Sequence, residues 1–107
     1  MNGEHQEGSL PGEELVEQGL ADLAAGQRTE LALLVLIAAP RLKRLGKQVP
    51  NLSQSGPYEH ELYARLDRRL GTAAHSYYNS LIRRIVSYAR ALEREQSRLN
   101  SKATQTS

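Results

Sequence analysis

Apolar residues recur three and four positions apart in most regular stretches of this chain, the spacing of an α-helix, and nowhere do apolar and polar residues alternate long enough to specify a β-strand. The clearest case is the stretch from Thr72 to about Leu99. At ~100° per residue, Tyr78, Leu81, Ile82, Ile85, Tyr88, Ala89 and Leu92 fall within an arc of roughly 120°, and Leu99 continues it two turns later. Arg83, Arg90, Arg94 and Arg98 gather on the opposite side. Within the apolar set, Tyr78, Ile82, Ile85, Ala89 and Leu92 alternate spacings of four and three, which marks a seam against another helix. Thr72 is placed to cap this long helix.

Leu31 to Ala39 has a different pattern, being apolar on every side, so the helix it forms must be surrounded. Thr29 is placed to cap it, with Glu30 beside it. Pro40 lacks the amide that the helical ladder needs, so the helix is expected to end or kink there, with Arg41 to Leu45 resuming as a short basic turn before Gly46. Ahead of it, Leu15, Val16, Leu20 and Leu23 mark a first helix that starts near Pro11, carries Glu13 and Glu14 at its positive end and stops at Gly26. After a connector from Gly46 to Pro57, onto which Val49 and Leu52 are expected to tuck, Leu62, Leu66 and Leu70 mark a third helix ending at Gly71. Glu61 stands four residues before Arg65 in it as a supporting ion pair.

These patterns predict an all-α fold. They describe a four-helix bundle-like single domain over residues 11–99, with a central helix kinked at Pro40 and a long C-terminal helix, between flexible tails at 1–10 and 100–107.

Composition narrows the chemistry. The 107 residues contain no Cys, so disulfides, thiolate metal sites and cysteine nucleophiles are excluded. Phe and Trp are absent too, which leaves aliphatic side chains and five Tyr to fill the interior. Residues 1–9 are polar and acidic, unlike a signal peptide, and the longest apolar run, nine residues, is far below the ~20 that cross a bilayer as a helix. The reading is a cytoplasmic protein without a membrane role.

The small net charge of +2 conceals an asymmetry. Up to Glu30 there are seven acids (Glu4, Glu7, Glu13, Glu14, Glu17, Asp22 and Glu30) against Arg28 alone, so the positive charge lies almost entirely downstream. An acidic first helix can neutralise a basic later one, within one molecule or between two copies.

Few constellations suit catalysis. Neither a Gly-rich phosphate loop, a nucleophile elbow nor a zinc-binding HExxH occurs. His5, His60 and His75 are not spaced as local metal ligands, and only a tertiary approach of His60 and His75, with Glu59 or Glu61, would build a metal site. Arg69 and His75, separated by five residues, form a sharper pair. This spacing in a small helical domain resembles the R-x(4–6)-H motif of HEPN domains, many of which are metal-independent dimeric ribonucleases. The resemblance implies Arg69 as the phosphate holder and His75 as the acid/base group. It spans seven positions, and the chain departs from it in placing Leu70 where a polar residue often follows the arginine and in interposing the helix-breaking Gly71-Thr72.

Basic residues form three clusters: Arg41, Lys43, Arg44 and Lys47; Arg65, Arg68 and Arg69; and Arg83, Arg84, Arg90, Arg94 and Arg98. Several such charges on one face suit phosphate or an acidic protein, but a face of arginine and Ser87 offers little to read base edges. The pattern therefore points first to a non-enzymatic helical interaction module, homodimeric because its apolar length exceeds what two short helices cover, which binds a protein partner through the basic face Arg83, Arg84, Arg90, Arg94 and Arg98. A nucleic-acid-binding regulator is the alternative, and a HEPN-like ribonuclease using Arg69 and His75 a further one. No cofactor, metal or small-molecule substrate is expected.

Overall fold

Thr29 opens the central helix in the manner its position predicts. Its hydroxyl oxygen accepts a hydrogen bond from the Ala32 amide at 3.1 Å, and its hydroxyl donates to Asp22 at 2.6 Å, tying the cap to the preceding helix. The computed structural model describes residues 10–50 and 57–106, with side chains up to Leu99. Its elements are α1 (Glu13–Ala24), α2 (Glu30–Arg44), α3 (Tyr58–Leu70), a 3₁₀ turn (Gly71–Ala73) and α4 (Ala74–Thr106), with no strand among the described residues. The fold is all-helical.

The core is built around α2. Ala32, Leu33, Leu34, Val35, Leu36, Ala39 and Leu42 are buried, enclosed by α1 on one side and by α3 and α4 on others. Leu15, Val16 and Leu23 come from α1, Leu62 and Leu66 from α3, and Leu81, Ile85 and Tyr88 from α4. Val49 is buried against this core as expected, whereas Leu52 lies outside the described residues.

Several local expectations are corrected. α2 does not end at Pro40, and no separate basic turn follows it: the helix includes Pro40 and continues to Arg44. Pro40 is exposed, and the fully buried Leu42 anchors the extra turn, so one lost amide is outweighed by burial. Thr72 does not cap α4: it is exposed within the 3₁₀ turn, and α4 begins at Ala74, itself buried. A regular four-helix bundle is not formed either, because α1 and α3 make no packing contact with each other, while α4, at 33 residues and ~50 Å, outruns every partner. Leu99, read as a continuation of the apolar stripe, is 52% exposed as a result.

Two glycines fix how α1 sits. Leu10, Pro11, Gly12 and Glu13 make a tight turn in which the Glu13 amide donates to the Leu10 carbonyl and Gly12 takes φ 74° and ψ 6°, the geometry of a type II turn with proline leading. Gly19 faces the backbone of α2 at the crossing of the two helices.

Candidate interaction surface

Three acids of the first thirty residues, Glu14, Glu17 and Glu30, meet bases of the same molecule. Glu14 on α1 pairs with Arg84 on α4 at 3.1 Å, Glu17 with Lys47 at 3.5 Å, and Glu30 on α2 holds Arg69 of α3 through two hydrogen bonds of 2.9 and 2.7 Å. Arg28 reaches Glu61 of α3 in a bidentate pair of 2.7 and 2.6 Å, which Arg65 joins at 3.3 Å, fulfilling the expected Glu61–Arg65 contact. The Arg28 hydrogen bond foremost, against some desolvation, holds the Glu61 carboxyl below the usual carboxylate range. Part of the charge asymmetry along the sequence thus becomes neutralisation within the fold.

Among the described residues, Lys43 and Arg44 at the end of α2 and Arg68 on α3 stay exposed and outside these ion pairs, and a further unmatched group lies on the outer side of α4. Of the five arginines assigned to a binding face, Arg84 is committed to Glu14 and Arg98 to Glu95 at 2.6 Å. Arg83, Arg90 and Arg94 are exposed and have no carboxylate partner among the described residues. On the helical wheel these three lie within about 40° of one another, with Ser87 about 20° beyond them, along ~16 Å of the axis. Beside them, Pro11, Gly12, Ser80, Arg83, Arg84 and Ser87 line an open hollow where the start of α1 meets α4.

The opposite flank of α4 is apolar. Ile37 and Ala38 of α2 face Ile82, Ile85, Val86 and Ala89 of α4 across a groove of about 240 Å³, which Arg41 also lines. The Arg41 guanidinium donates to Glu93 at 3.2 Å, one turn beyond Ile37 and Ala89, and so bridges the two helices at the end of the groove. The hydrophobic pattern did not single out this groove. Ile37 and Ala38 belong to a stretch read as wholly enclosed, yet both are only half-buried, and the one signal was Val86, an apolar residue about 40° outside Ile82 on the wheel.

Arg69 and His75 have other partners in this fold. The Arg69 guanidinium, besides gripping Glu30, lies over the Tyr77 ring at 5.6 Å, and the hydrogen bond to Glu30 is the main reason its pKa is raised. His75 Nε2 is 3.2 Å from the Asn79 side-chain nitrogen, and its ring stands 6.4 Å from that of Tyr63. Both residues are exposed, and the groups that hold them differ. Among the described residues no group of three His, Asp or Glu side chains is arranged to hold a metal ion; Glu61 is engaged by arginines instead. Tyr78 is half-buried beside Tyr63 at 5.4 Å between ring centres, while Tyr77 at 41% exposure takes the margin of the core. No helix among the described residues is long and apolar enough to cross a membrane.

Compared with known proteins, the chain matches no family model, no curated protein and no solved structure.

Proposed function

We propose that this chain is a small non-enzymatic interaction module that offers the outer face of α4 to an acidic protein partner. The observation that carries the reading is selective neutralisation. Among the described residues seven ion pairs engage Arg28, Arg41, Lys47, Arg65, Arg69, Arg84 and Arg98; of the bases left over, Lys43, Arg44 and Arg68 lie elsewhere, whereas Arg83, Arg90 and Arg94 line up on one exposed stripe of α4. Three unmatched guanidinium groups in a row supply little to stability, since exposed charges contribute little to folding, but they are geometrically suited to carboxylates presented from outside. The motive for self-association is weaker in the fold than in the sequence, because the apolar length of α2 is mostly enclosed by its own chain.

Nucleic acid is the second reading, favoured by the serines interleaved with arginines around the hollow at the start of α1. Against it stands the acidic lip of α1: Glu14, whose side chain is 77% exposed, borders that same hollow through Arg84 and repels an extended polyanion. A protein partner can place its carboxylates only where the arginines are.

The test is a titration of the isotopically labelled chain with a helical glutamate-bearing peptide and, separately, with a random DNA duplex. The peptide is expected to shift resonances of Arg83, Ser87, Arg90 and Arg94, and the triple variant R83A/R90A/R94A to lose that response with an unchanged melting temperature. Duplex binding that collapses between about 50 and 200 mM salt would transfer the assignment to nucleic acid. Absence of either response would overturn both.

A further inference from the structure

Building on the reading above, we infer that the partner element is an acidic amphipathic helix, which seats its apolar ridge in the α2/α4 groove while its carboxylates meet the arginines on both lips. The floor supplies the first half of the argument. Ile37, Ala38, Ile82, Val86 and Ala89 form a nearly unbroken apolar surface between two helices, and no described residue lies over it. A trough between adjacent helices is the shape that receives a third helix, with anchors at three- and four-residue spacing.

The lips supply the other half. On the α4 side, Arg90 lies one turn past Val86 and about 40° further out, and Arg83 follows about 60° out from Val86, towards the same edge. On the α2 side, Arg41 lines the groove and Arg44 lies two turns past Ile37 on nearly the same line. Arg83, Arg90 and Arg44 have no carboxylate partner among the described residues; the one acid at the rim, Glu93, is occupied by Arg41. An apolar floor between two basic lips matches an apolar ridge between two acidic edges. A second copy of this chain matches less well, because its own groove brings the same basic lips and a two-fold contact would set arginine against arginine. Nucleic acid has nothing to place on Ile37, Val86 and Ala89.

The discriminating experiment uses the full chain and two synthetic peptides of identical composition, each about five helical turns long. In one, leucines follow a three–four spacing and glutamates flank them; in the other, the same residues are shuffled so that no apolar ridge forms. The segregated peptide is expected to bind at least about tenfold more tightly, to shift Ile37, Ala38, Val86 and Ala89 resonances, and to lose that preference in V86E. V86S, a milder change at the same half-buried position, checks the result where V86E melts early. Equal binding of both peptides, with shifts confined to the arginine stripe, would overturn the groove assignment and leave the basic-face reading standing. Binding of neither would remove both, and wild-type dimerisation abolished by V86S would hand the groove to a second copy instead.

Discussion

Gly19 on α1 faces Leu31 on α2 so closely that a methyl group at the glycine would stand 2.5 Å from the Leu31 carbonyl oxygen and equally near a Val35 methyl. An alanine ordinarily favours a helix over glycine by ~1 kcal/mol, but here the added carbon meets backbone that cannot rotate away. G19A is expected to destabilise the chain by about 2 kcal/mol net, measured by urea unfolding at constant m. A variant as stable as wild type would mean the helices are further apart than this.

Gly12 meets two constraints at once. Its φ of 74° disfavours any L side chain, and a Cβ there would lie 2.8 Å from the Arg84 carbonyl oxygen on α4. G12A should therefore cost more than G26A, where φ is 75° but nothing lies within 4 Å. Comparing the two melting temperatures separates the steric contribution from the torsional one, which alone is ~1 kcal/mol.

Thr29 contributes through its hydroxyl. T29A removes both the cap to Ala32 and the bond to Asp22, and is expected to cost about 1–2 kcal/mol, while T29S retains most of the stability. Thermal unfolding of the three proteins tests the order.

Glu61 makes stability depend on acid. Because its pKa is lowered in the fold, mainly by the hydrogen bond from Arg28, its contribution is present above its unfolded value of about 4.3 and is lost as the pH falls through the folded value. E61Q should flatten the acid limb of a stability–pH curve and cost about 1 kcal/mol near neutrality, the range of a partly exposed ion-pair network. An unchanged acid limb would show that another carboxylate governs it.

Tyr88 produces the opposite dependence. It is 1% exposed, and burial pushes its pKa up, opposed in part by the neighbouring Lys47. A raised folded pKa gives stability that is complete below the unfolded value near 10 and is lost as pH rises through the folded one. Ultraviolet titration is expected to show tyrosinate formation at Tyr88 coinciding with unfolding; Y88F should remove that coupling.

The sequence by itself determined the helical class, the cap at Thr29, the burial of α2, and the outward course of the arginines on α4, because each follows from local periodicity or from hydrogen bonds within one turn. It let α2 end at Pro40 and set the cap of α4 at Thr72, whereas α2 continues past Pro40 to a buried Leu42 and α4 starts at a buried Ala74, and burial is not a local property. Only the tertiary structure decided that Glu30 meets Arg69 and Glu61 meets Arg28, pairs 39 and 33 residues apart. It alone left Arg83, Arg90 and Arg94 unmatched, and it alone opened the groove beside Val86. A helical wheel gives the direction of each side chain from its own axis; which acid, base or apolar neighbour it meets depends on where the axes cross, and here that is set by contacts such as Gly19 against Leu31.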